Sequence, residues 1–142
     1  MFNDFSKFKF EVIDITITGA PDIVINMNGI TFTAKLLETL GNPDYVRPLI
    51  DPHNKAFAIQ VCKETDAKSM RLRKNNPSGA YSSSCSVVRQ TLRRMMKSTW
   101  KDSMRYRISG VPFPEVKAVV FDLSKARELP PVHSGKKKKS TL

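Results

Sequence analysis

Apolar and polar positions alternate over the opening of the chain. In "FKFEVIDITIT" (8–18), Phe8, Phe10 and Val12 alternate with Lys9 and Glu11, the period-two pattern of a half-buried strand. "GAPD" supplies turn chemistry and "DIVINM" (22–27) reads as a second strand, so residues 1–27 are expected to form a strand pair. Over 28–62 the period changes. "ITF" is a short strand, Thr33 an N-cap, and Leu36, Leu37 and Leu40 form the inward side of a two-turn helix. Gly41 and Asn42 provide a left-handed stop with Pro43 just beyond. "YVRPLI" and "KAFAIQV" then read as strands joined across "DPHN", which completes a β-α-β-β unit.

Residues 63–83 are polar, punctuated by Asn-Pro and Ser-Gly, and read as a basic linker. Within it "SMRLRK" has strand alternation, with Met70 and Leu72 set against Arg71 and Arg73. Over 84–123 the earlier grammar returns. A helix at 87–99 carries a narrow stripe of Val88, Leu92, Met95 and Thr99, with cations on the other side. "MRYRIS" follows as a strand, "GVPFPEV" as a turn and "KAVVFDL" as the closing strand. "NKAFAIQ" is echoed by "VKAVVFDL", and "YVRPLI" by "RYRISG". Four elements in matched order predict an internal duplication. The last stretch, 124–142, ends in "PPVHSGKKKKSTL" and reads as a disordered, lysine-rich arm. The fold class expected is α+β and mostly β, a barrel-like domain from two β-α-β-β units with a disordered basic C-terminal tail.

Charge changes the picture. The net charge is +11, but residues 1–62 hold five Lys/Arg against seven Asp/Glu, while residues 63–142 hold nineteen against six. A segregated excess makes a directional field that attracts polyanions. Nucleic acid, duplex DNA first, is the partner expected; an acidic protein that itself handles nucleic acid is the other. Three cationic groups are candidates: Arg89, Arg93, Arg94, Lys97 and Lys101 on the helix; Arg71, Arg73 and Lys74 in the linker; and Arg105 and Arg107 on the strand after the helix. Such residues neutralise phosphates and release counterions. Trp100 and Tyr106 read first as core or boundary aromatics, with stacking on an unpaired base as the alternative. Some of these arginines are expected to pair with Glu64, Asp102 or Glu115.

Catalytic chemistry finds little support, and no enzyme, cofactor or metal site is expected. His53 falls in a turn and His133 in the tail, and no phosphate loop, His-Glu-x-x-His helix or nucleophile elbow occurs. Asp51 and Asp122 read as turn punctuation. Cys62 and Cys85 are too few and too isolated for a zinc site or disulfide framework, which fits a reduced, cytoplasmic protein. Cys85 lies near an arginine-rich helix start, yet no base accompanies it. No apolar run reaches the ~20 residues of a spanning helix, and "MFNDFSKFKF" lacks the order of a secretory signal.

"ITFTAKLLETLGN" followed by "YVRPLIDPHNKAFAI" resembles the AbrB/SpoVT/MazE/MraZ swapped-hairpin superfamily. Ile30-Thr31-Phe32 stands for its strand, Leu36 for the inward helical residue and Leu40-Gly41 for the closing pair. The resemblance implies a barrel of two interlocked halves, here within one chain as in MraZ-like proteins, and a DNA-binding transcriptional regulator. The family's proline before the helix is Thr33 here, and its basic helix position is Leu37 or Glu38. Only the second unit's helix is therefore dressed for phosphate. A two-fold pair of such faces would suit two half-sites, which leaves a homodimer open. The arrangement also resembles, in style, small phage and mobile-element proteins. That keeps open a rival of another class, an anti-CRISPR or anti-defence inhibitor that binds a nucleic-acid enzyme and blocks DNA loading.

Overall fold

The computed structural model describes residues 5–12, 19–72, 79–83 and 86–131. Nine strands and two α-helices follow in chain order: β1 (Asp22–Ile25), β2 (Ile30–Phe32), α1 (Ala34–Thr39), β3 (Tyr45–Asp51), β4 (Ala56–Val61), β5 (Met70–Arg71), β6 (Tyr81–Ser83), α2 (Ser86–Met95), β7 (Arg105–Phe113), β8 (Ala118–Asp122) and β9 (Arg127–Leu129). The strands make one antiparallel sheet in the order β5-β3-β4-β8-β7-β1-β2-β6, with β9 also on β7. The protein is thus mostly β, and its sheet is curled into a half-barrel. Met70 of β5 and Ser83 of β6 line one crevice together with Val88, so the two ends of the strand order approach each other. Inside the curl Ile23, Phe32, Leu36, Phe57, Leu92 and Phe121 are at most 2% exposed.

Local chemistry explains the first elements. The Thr33 hydroxyl accepts from Leu36 N at 3.2 Å and donates to Ala20 O at 2.9 Å, so Thr33 caps α1 and ties it to the segment before β1. Gly41 and Asn42 take φ of 83° and 51°, and their amides return to Glu38 O and Leu37 O. That left-handed stop ends α1 as its sequence predicts.

The registers repeat across the sheet. Match Lys55 with Lys117 and continue residue by residue along the β3–β4 and β7–β8 hairpins. Both lysines are left-handed, φ 53° and 55°, and each follows a proline-containing turn. Leu123 N donates to Lys55 O at 3.0 Å, and Val61 N donates to Lys117 O at 2.9 Å. Ala58 pairs with its own counterpart Val120, and the Phe57–Phe121 pair is answered by Ile59–Val119. β1 lies on β7 with Ile23 opposite Ile108; β5 lies on β3 with Met70 opposite Val46. β2 pairs with β6 about Thr31 and Ser82, whose hydroxyls are 3.0 Å apart. Over the β3–β4 and β7–β8 hairpins the pairings follow a pseudo-twofold relation. A half of this size buries too little apolar surface to stand alone.

Several expectations shift. The echo "KAFAIQ"/"KAVVFD" is in structural register, but "YVRPLI"/"RYRISG" is not: Val46 matches Ile108, and Arg47 matches Ser109. Within 63–83, read as linker, β5 forms in "SMRLRK", where strand alternation was read, while β6 (Tyr81–Ser83) was not expected. Gly110–Phe113, read as turn, continue β7, and the turn is Pro114–Val116 alone. Arg127–Leu129, read as the start of a disordered arm, pair with Arg105–Arg107 as β9. Residues 8–12 form no strand, so their alternation is not used in the sheet. Residues 13–18 and the lysine run at 136–139 lie outside the described residues. Among the described residues no helix is long and apolar enough to cross a membrane.

Candidate nucleic-acid interface

The sequence of α2 places Leu92 in the core at 0% exposure, with Val88 and Met95 packed against it. The helix ends at Met95 rather than at Thr99. Met96 N donates to Leu92 O, and Trp100 N to Met96 O at 2.7 Å, which turns Met96 and Trp100 inward and leaves Thr99 exposed. Trp100 and Tyr106 are 7% and 3% exposed and stack on each other, centroids 4.5 Å apart and 8° from parallel. The Tyr106 hydroxyl accepts from Lys101 N at 2.6 Å and donates to Glu128 Oε1 at 3.0 Å. Burial, the largest cause, pushes the Tyr106 phenol pKa up. Both rings are core, and neither presents a free face to a base.

The predicted cations separate into two kinds. Arg93 points inward. Its guanidinium donates to the carbonyls of Lys101 and Asn26 at 3.2 Å and of Met104 at 2.9 Å, and lies 6.0 Å from the Tyr106 ring centroid. Desolvation first, and then neighbouring Arg89, lower its pKa. Arg89 is half-buried, and its Nε has no hydrogen-bond partner among the described residues. Arg107 Nε bonds Asp22 Oδ2 at 2.5 Å, and Asp22 is 1% exposed. Arg105 Nε donates to Pro130 O at 2.9 Å. Arg93, Arg105 and Arg107 tie elements together. The carboxylate that Arg107 meets is Asp22, where Glu64, Asp102 or Glu115 was expected; Glu64 accepts instead from the Tyr45 hydroxyl.

Arg94 and Lys97 differ. Both are exposed, and their side chains make no hydrogen bond or ion pair with any described residue. Lys101, also exposed, stands 3.8 Å from Glu128, a surface contact worth ~0–1 kcal/mol. Arg71 is exposed on β5 opposite Tyr45. Arg73 and Lys74 lie outside the described residues.

Two cations, Lys55 and Lys125, escaped the sequence reading. Lys55 Nζ donates to Met95 O at 3.2 Å and so answers a last-turn carbonyl of α2. The bond from Leu123 N to Lys55 O sets the start of the turn Leu123–Lys125, with its exposed Lys125, beside the Lys55 backbone. The only signal in the sequence was the repeated Lys-Ala after a proline turn, which marks the hairpin but not its neighbour. On α1, by contrast, Lys35 and Glu38 pair at 2.8 Å and cancel. Positive charge therefore gathers at one helix end and not at its counterpart.

The remaining candidates are quiet. Hydrogen bonds from Asn54 lower the Asp51 pKa, and those from Ser124 lower that of Asp122, as turn punctuation does. Burial raises the Cys62 thiol pKa; Cys85 and His133 lie outside the described residues. Among the described residues no three His, Cys, Asp or Glu side chains converge where a metal ion could sit.

No protein-family profile, no curated protein and no solved structure matches this chain.

The geometry makes Arg93 a clamp rather than a contact. Arg93→Gln is expected to strip donors from part-buried carbonyls, cost about 2 kcal/mol and lower Tm by about 6 °C. Polyanion affinity should stay within about twofold of the parent. Thermal denaturation and anisotropy on one preparation check both halves; a large affinity loss with unchanged Tm would reverse the assignment.

Proposed function

We propose that the protein binds duplex DNA through the C-terminal end of α2 and the hairpin turn beside it, as a regulator. The observation that carries this reading is that Lys55 meets the last turn of α2 beside Arg94 and Lys97, whose side chains have no partner among the described residues, with Lys125 on the turn that bonds the Lys55 backbone. Unpaired cations on a rigid element neutralise phosphates with little ordering cost, and each neutralised phosphate releases condensed counterion. The burial of Trp100 and Tyr106 favours duplex over single strands, because unpaired-base recognition needs exposed aromatic faces. The swapped-hairpin reading belongs to the same proposal. Its support is that β1 pairs with β7 and β5 with β3, each strand completing the other half's sheet.

The test is a salt titration of binding to duplex DNA, single-stranded DNA and RNA of one length. Duplex DNA should bind tightest, with log affinity falling linearly against log salt at a slope of about −3 to −4, from three or four contacts. A slope near zero, or a preference for single strands, would sink the reading. In a nuclease-treated lysate, capture of a single nucleic-acid enzyme would favour the inhibitor reading instead.

A further inference from the structure

The β3–β4 and β7–β8 hairpins meet along β4 and β8 and turn one face of the four strands into the core. The opposite face carries, in one register row, Leu49, Ala58, Val120 and Val111. Alternation sets this row against Phe57, Ile59, Val119 and Phe121 of the core side, each at most 1% exposed. Leu49 is 41% and Val111 60% exposed, and Phe113 and Val116 widen the patch. A contiguous apolar patch on a chain this highly charged marks a contact surface. Its border is signed: on β3, two residues to either side of Leu49, stand exposed Arg47 and Asp51.

We propose that this row is the contact face of a homodimer, in which two copies pack sheet against sheet about a twofold axis running along the row. Charge complementarity selects both the occupant and the axis. About that axis Leu49 and Val111 each meet their own copies, while Arg47 of each chain comes opposite Asp51 of the other. An axis along the strands would set Arg47 against Phe113 and leave Asp51 unanswered. Hydrogen bonds from Asn54 keep the Asp51 carboxyl ionised at neutral pH. Four strands about 4.8 Å apart and three rows about 7 Å apart span roughly 19 by 20 Å, the footprint of a small, reversible interface. Because α2 packs on the core side through Leu92, its cations stay outside the contact in both copies. The dimer does not depend on the nucleic-acid reading.

Sedimentation velocity of the full chain, without nucleic acid, tests it. The mass should rise with concentration from the 16.0 kDa chain to twice that value. Val111→Glu, on an exposed side chain that leaves the fold intact by circular dichroism, should weaken association about tenfold or more. Arg47→Asp and Asp51→Arg should each do the same alone, and mixing the two variants should restore a dimer, since every facing pair is then opposite in sign. A chain that stays monomeric up to about 100 µM, well above the affinity expected of a small reversible interface, would overturn the proposal. So would a dimer indifferent to Val111→Glu, or a mixture no tighter than its parts.

Discussion

Neutralising Arg94, Lys97 and Lys125 together (R94Q/K97Q/K125Q) is expected to remove most of the affinity for duplex DNA. Each phosphate contact adds about 0.9 to the salt slope, which at 0.15 M salt corresponds to about fivefold in affinity. Three lost contacts then lower the slope by about 2.7 and the affinity by about a hundredfold. The fold should be untouched, because the three side chains are exposed and make no hydrogen bond or ion pair with any described residue. Anisotropy titrations from about 50 to about 300 mM salt, over which the Debye length roughly halves, read both quantities. An unchanged slope would place the contact elsewhere. The comparison with Arg93→Gln is the informative one: one helix, one charge type, and opposite expected consequences.

The second large effect is structural. Gly110 lies where β1, β7 and β8 converge, and its amide donates to Pro21 O at 2.9 Å. A Cβ there would run into Val119 Cγ1, stand 2.7 Å from Phe121 Cε1 and lie 2.9 Å from the Pro21 carbonyl oxygen. Two of these neighbours are a fully buried ring and a strand backbone, neither of which yields cheaply. Gly110→Ala is expected to cost about 3 kcal/mol and about 10 °C in Tm, with β1 loosened from β7. Gly41→Ala is the control. It also replaces a glycine, but at φ 83° in open space, so only backbone strain of about 1 kcal/mol should result. Equal shifts for the two variants would show that close approach at Gly110 is not what matters.

Much of the fold was readable residue by residue. Thr33, Gly41 and Asn42 bound α1 through local hydrogen bonds and backbone conformation, which depend on neighbours in sequence alone. The hairpins over 45–61 and 105–122 were likewise readable from alternation and a proline turn. What failed to read was long-range. β5 falls in "SMRLRK", whose alternation reads as strand, but the three-residue β6 carries no periodic signal of its own; it exists because β2 offers it a ladder. β9 escaped for the same reason, hidden in a charged stretch that Tyr106 anchors through Glu128.

The candidate site shows the same division. On paper the cations of α2 are equivalent, since a helical wheel places them all away from Leu92. In the structure Arg93 is drawn onto three carbonyls and a ring, while Arg94, one residue on, is left free. The sequence by itself determined the sign and segregation of the charge, the two helices, the hairpins and the matched order of the two halves, all of which follow from composition and short-range periodicity. Only the tertiary structure decided which arginines are consumed as clamps, that Lys55 joins a helix forty residues away in sequence, and that an apolar row stands on the outer sheet face. A side chain's role depends on the groups brought to it from distant segments, and no local pattern encodes that meeting.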